Sequence, residues 1–141
     1  MPTLFTRIID GELPGRFVWR DPDVVAFLTI EPFAPGHTLV VPRAEIDHWI
    51  DMPAELNAKV FETARLIGQA VQHAFSPRRV GLLIAGEEVP HAHVHVIGFE
   101  NVGQLSFNAI DRNVSAETFD ANADKIRAEL RAMGRPEVTS A

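Results

Sequence analysis

From Pro90 to Ile97 the chain reads Pro-His-Ala-His-Val-His-Val-Ile, with His91, His93 and His95 at every second position. A two-residue period sends alternate side chains to opposite faces of a β-strand, so one face carries the imidazoles and the other carries Ala92, Val94 and Val96. On a helix, His93 would lie about 200° around the axis from His91 and no single face would collect all three. The segment His91 to Phe99 is therefore predicted to be a strand, with its valines in the core. Rings spaced about 7 Å apart along it each take a donor and an acceptor out of water, which costs free energy unless both find partners. A purely structural role thus needs an explanation of its own, and two chemical roles compete with it. Imidazole is a nucleophile that can take a phosphoryl or nucleotidyl group and hand it to water. It is also the commonest metal ligand, and a His-x-His pair with a further histidine is a zinc pattern. Spacing alone does not choose between them.

Other properties narrow the field. A length of 141 residues suits one domain with a sizeable core, expected over 1–134, and residues 135–141 read as a frayed tail. The net charge of −6 disfavours a duplex nucleic-acid binder, which needs a Lys/Arg surface to displace phosphate counterions. No cysteine is present, so disulfides, thiolate zinc sites and cysteine nucleophiles are all excluded. No apolar run approaches the roughly 20 residues of a membrane span, and the start Met1 to Phe5 has no basic n-region or apolar h-region. The expectation is a cytoplasmic protein without membrane contact.

Element signals are regular along the chain. Leu4 to Ile9 reads as a short helix stopped by Asp10-Gly11, and Phe17 to Arg20 and Val24 to Leu28 as a hairpin joined at Asp21-Pro22-Asp23. His37 to Val41 is a β-branched run ended by Pro42. Leu56, Val60, Ala64, Ile67, Val71 and Phe75 recur at helical spacing between Pro53 and Ser76-Pro77, which predicts a long amphipathic helix. Val80 to Ala85 reads as a buried strand. Phe119, Ala123, Ile126, Leu130 and Met133 mark a C-terminal helix after a Ser115 cap, closed by Gly134. This order predicts an α+β domain with a mostly antiparallel sheet rather than βαβ units.

The segment His91-Ala92-His93-Val94-His95-Val96-Ile97 resembles the motif that defines the histidine triad (HIT) family of nucleotide hydrolases and transferases. The resemblance extends to Leu4–Pro14, to Val24–Leu28, and to Pro35-Gly36-His37-Thr38-Leu39-Val40-Val41-Pro42-Arg43, which carries a fourth active-site histidine. It implies a homodimer with a HIT-like sheet of about five antiparallel strands per subunit, one long helix and one C-terminal helix. It implies a purine nucleotide or nucleotidyl conjugate as ligand, with the α-phosphate facing the histidines and no cofactor. His93 would be the nucleophile, while His91, His95 and His37 order the pocket. Phe27, Thr29 and Ile30, with Gly86, Glu87 and Glu88, would contact the substrate.

Several positions depart from the family pattern. Thr3 and Thr6 stand where many relatives carry a Cys-x-x-Cys pair and Glu45 stands near a further histidine position, so no structural zinc is expected. Thr29 replaces an aspartate that grips the ribose hydroxyls. Gly86-Glu87-Glu88-Val89-Pro90 replaces a Gly-Gln-Ser phosphate segment, and Glu88 falls at the serine. An ionised carboxylate there repels phosphate, so Glu88 is expected to turn away, to bond a histidine or to serve as a proton donor. A non-catalytic nucleotide- or partner-binding module, and a metal site built from the triad with His37, are the competing functions.

Overall fold

The computed structural model describes residues 1–139. The chain runs α1 (Leu4–Ile9), β1 (Phe17–Arg20), β2 (Val24–Leu28), β3 (Thr38–Pro42), α2 (Ala54–Phe75), β4 (Arg79–Leu83), β5 (Val94–Phe99) and α3 (Ala116–Ala132). Three short 3₁₀ turns intervene, at Trp49–Asp51, Val102–Gln104 and Phe107–Ala109. The strands form one antiparallel sheet in the order β1-β2-β3-β5-β4, the α+β architecture expected from the sequence.

Local chemistry sets the element ends. The Asp21 carboxylate accepts from the Asp23 and Val24 N–H groups and turns the β1–β2 hairpin. Helix α2 ends at Ser76, whose left-handed φ of 50° stops the helix while its N–H reaches the Gln72 carbonyl. Helix α3 starts at Ser115, whose hydroxyl accepts from the Thr118 N–H.

The strand alternation sorts the core into two layers. Val18, Val24, Ala26, Val40, Val94 and Val96 face α2 and α3, where they meet Val60, Ala64, Ile67, Ala123, Ile126 and Leu130. Phe17, Val25, Phe27, Leu39 and Val41 point to the other side, which is covered by the short α1, through Phe5, Ile8 and Ile9, and by Val89. One face of the sheet is thus deeply buried, and the thinly covered face is left for the histidines.

Three expectations change. The strand bearing the triad begins at Val94 rather than His91. Its pairing with β3 runs Thr38↔Val96, Leu39↔His95 and Val40↔Val94, and a continuation would meet Pro42, which has no N–H to give to the ladder. The Ala92 N–H turns instead to the Ile46 carbonyl, at 2.7 Å. The apolar run from Val80 is an edge strand rather than a buried one: β4 pairs only with β5, and Leu82 is 47% exposed. Lastly, the segment expected to fray from Arg135 docks on β1. The Arg20 N–H donates to the Glu137 carbonyl at 2.9 Å and Val138 bridges Trp19. The part of the expected tail at 140–141 lies outside the described residues.

Candidate active site

Four histidines meet on the thinly covered face. His95 projects from β5 between Leu39 of β3 and Leu83 of β4. His91 and His93 lie in the extended run before β5, and His37 immediately precedes β3. The ring centroids of His93 and His95 are 5.0 Å apart, and those of His95 and His37 are 5.1 Å apart. All three triad rings share one side, as the alternation predicts, although only His95 lies inside the strand.

Hydrogen bonds fix each ring's protonation. The Phe33 N–H donates to His37 Nδ1 at 3.0 Å, so neutral His37 carries its proton on Nε2. That proton points at His95 Nδ1, 2.8 Å away. His95 therefore accepts at Nδ1 and keeps N–H at Nε2. His93 Nδ1 lies 2.8 Å from the His91 carbonyl, which can only accept, so His93 is protonated there and its Nε2 bears a lone pair. His91 is held at both ends: Nε2 donates to the Pro42 carbonyl at 2.6 Å, and Nδ1 accepts from the Thr3 hydroxyl at 2.7 Å.

Burial keeps this chain of rings neutral. His37 is pushed down to about 3, first by burial and then by His95 and His93, and His95 is pushed down to about 4 by burial and by His93. His93 is lowered too, mainly by burial, against the opposing pull of the His91 carbonyl. A pH dependence of stability follows. The unfolded chain protonates its histidines near pH 6.5, while folded His37 and His95 resist protonation down to about 3 and 4. Their contribution is therefore complete above about pH 6.5 and drains away as the pH falls toward 4. At about 1.4 kcal/mol per pH unit for each ring, the pair is expected to cost about 4 kcal/mol of stability between pH 7 and pH 5. Equal urea midpoints at the two pH values would refute it.

The remaining predicted residues are placed unequally. Phe27 is buried, 5.7 Å ring to ring from Phe5, which in turn meets His93 edge-on at 4.8 Å. Thr29 shares a cavity wall with Phe33 and His37. Ile30 is 76% exposed. Gly86 takes a left-handed φ of 69° on the loop after β4, and Glu87 and Glu88 are exposed. Among the described residues Glu88 bonds no histidine.

Three contributors carried no signal of their own in the sequence. Phe33 sets the His37 tautomer through its backbone and stacks on His95 at 6.2 Å. Phe107 stands edge-on to His95 at 6.1 Å and to Phe33 at 5.2 Å. Pro42 acts through its carbonyl. Backbone groups have no residue signature, and Phe107 lies downstream of the triad in a stretch without periodicity.

The residues do not fit the zinc site of many relatives. The Thr3 N–H donates to the Glu45 carboxylate at 2.8 Å, the Thr6 N–H donates to the Thr3 hydroxyl, and the Thr3 hydroxyl donates to His91. Hydrogen bonds from Thr6 and Thr3 also hold the Glu45 carboxyl below its usual range. With both nitrogens of His91 engaged and two neutral hydroxyls in place of thiolates, this network ties α1 to the triad by hydrogen bonds alone. A metal held by the triad and His37 fits no better, since among the described residues only the Nε2 atoms of His93 and His95 lack a protein partner.

Comparison with known proteins agrees with this geometry. Residues 10–102 match the HIT domain. An uncharacterized HIT-like protein of Borreliella burgdorferi is 37% identical over 108 residues, covering 71% of this chain and 78% of the relative. The purine nucleoside phosphoramidase of Escherichia coli K12 is 31% identical over 113 residues, covering 73% of this chain and 92% of the enzyme. Among solved structures, a HIT-like protein of Bartonella henselae, described as involved in cell-cycle regulation, superimposes with a TM-score of 0.77. It is 32% identical, and the match covers 91% of this chain and 96% of that one. With its motif, its sheet and its imidazole cluster all in agreement, this chain belongs to the HIT family.

Proposed function

We propose that this protein is a hydrolase or nucleotidyl transferase acting at the α-phosphate of nucleoside phosphoramidates or dinucleoside polyphosphates through a nucleotidyl-histidine intermediate. One observation carries the reading. Of the eight nitrogens on the four rings, six have protein partners among the described residues, and the two left over are Nε2 of His93 and Nε2 of His95. Those two rings also keep 8% and 7% exposure, against 1% for His37 and 0% for His91. A lone pair and an N–H thus stand on the two most exposed rings of the cluster.

The chemistry follows from that pair. His93 Nε2 attacks phosphorus and the P–N or P–O bond to the leaving group breaks, the leaving group taking the electron pair and a proton from water. The new imidazolium is steadied by its Nδ1–H on the His91 carbonyl. The His95 Nε2–H, oriented through His37 and the Phe33 amide, donates to a non-bridging oxygen. Water or a second acceptor then displaces the nucleotidyl group and restores neutral His93. The phosphoramidase among the relatives favours a purine and a P–N bond. No helix among the described residues is long and apolar enough to cross a membrane. The open edge of β4, with Leu82 exposed on it, favours a homodimer by offering a sheet edge to a second copy.

Alkaline quenching of the enzyme during turnover of adenosine 5′-phosphoramidate, followed by mass spectrometry, tests the intermediate. An adenylyl increment on the peptide containing His93 is the expected result. AMP binding with no adduct at any time point would support the binding-module alternative instead.

A further inference from the structure

Behind the histidine cluster, on the far side of Phe33, lies a cavity of about 190 Å³ that shares His37 with the cluster and holds neither His93 nor His95 in its wall. One wall is the β2–β3 connection, with Thr29, Phe33 and His37. The other is the chain after the triad, with Asp111, Val114, Phe119 and Asn122, which lies outside residues 10–102 matched by the HIT domain. The Asp111 N–H donates to the Pro32 carbonyl at 2.8 Å and ties the two walls together.

The polar groups of this cavity are built in. Asn122 is only 8% exposed and lines the cavity, and among the described residues its carboxamide makes no side-chain hydrogen bond. The Asn122 carboxamide is not among the atoms sealed in the core without a partner, so its donor and acceptor are open to the cavity. The Thr29 hydroxyl accepts from the Glu31 N–H and keeps its proton to give. The Asp111 carboxylate accepts from the Asn113 N–H and has acceptor capacity to spare.

Size and charge define the occupant. An engineered cavity of about 150 Å³ holds benzene, so this one takes a ring system and has no room for a whole nucleotide. No Lys or Arg lines it and Asp111 does, which disfavours phosphate. A carboxamide presents a donor and an acceptor side by side, the complement of the adenine N6/N7 edge. Leu28, Phe33, Val114 and Phe119 give the cavity an apolar lining against which a flat ring can pack. The geometry points to a second binding site, for a neutral adenine-type base held by Asn122 and Asp111 while any attached phosphate stays outside. The base comes either from a free nucleoside or from the distal end of a dinucleoside polyphosphate. Because Phe33 also touches His37 and His95, the occupied site is read by the histidine chain.

Adenosine, which has no phosphate, is the probe. Calorimetric titration is expected to show saturable binding to wild type and His93→Ala alike, weakened about tenfold or more in Asn122→Leu and in the similarly sized Asn122→Asp. Turnover of adenosine 5′-phosphoramidate by both Asn122 variants, without added adenosine, should match wild type, which also shows that they fold. If the base is that of a distal nucleoside, Asn122→Leu raises KM for diadenosine tetraphosphate but not for the phosphoramidate. If it is a free nucleoside, both KM values hold and only adenosine affinity falls. Equal adenosine binding by wild type and both Asn122 variants, or no binding at all, overturns the site. Failure of the proposed catalysis would appear separately, as a wild type that binds adenosine in this Asn122-dependent way and turns nothing over.

Discussion

His93→Ala is expected to lower turnover of adenosine 5′-phosphoramidate by about 10⁴-fold while AMP affinity changes only a few-fold, an asymmetry that identifies a nucleophile. The size follows from what is removed. A 10⁴-fold loss corresponds to about 5.5 kcal/mol of transition-state stabilisation, the scale on which deleting a covalent catalyst acts. AMP affinity survives because His93 is one edge of a cluster in which His95, His37 and His91 are held by partners of their own. The fold survives because the His93 ring bonds only a carbonyl that water can satisfy once the ring is gone. Steady-state kinetics beside AMP calorimetry measure both quantities. A variant keeping a tenth or more of wild-type kcat would remove His93 from the role of nucleophile.

The largest stability effect expected from a single methyl group is at Gly36. Its φ of 80° lies in the left-handed region, and an added Cβ would stand 2.8 Å from Cδ2 of Phe75 and closer still to Cε2. Backbone strain and overpacking together are expected to destabilise Gly36→Ala by about 3 kcal/mol, lowering Tm by roughly 10 °C. Phe75 cannot swing away freely, since it closes the last turn of α2 and packs on the main core. The damage should reach function as well. Gly36 precedes His37, whose Nδ1 must stay within reach of the Phe33 N–H for the tautomer chain to hold. Thermal unfolding and kcat are expected to fall together, and a Gly36→Ala protein with wild-type Tm would show that the α2 terminus yields more easily than its packing implies.

Much of this was legible in the chain itself. The alternation at His91, His93 and His95 placed three imidazoles on one side, and the helical spacing from Leu56 to Phe75 marked α2 almost to the residue. Both are periodicities, which local geometry enforces whatever the surroundings. The readings that changed all depended on neighbours. Val80 to Leu83 has the composition of a buried strand, and its exposure reflects its position at the sheet edge, which no local pattern encodes. The triad strand begins late because Pro42, some fifty positions earlier, faces it across the ladder.

What the sequence determined alone is therefore the chemistry available: which imidazoles share a side, which helices bury which stripes, and that no thiol takes part. The tertiary structure alone decided which ring nitrogens are engaged and which two are free. That choice rests on the Phe33 amide, the carbonyls of Pro42 and His91, and the Thr3 hydroxyl, brought to the rings across separations of up to 88 positions. The physical reason is that an imidazole's tautomer is set by the hydrogen bond its other nitrogen makes, and hydrogen bonds form between groups close in space, wherever they stand in the chain.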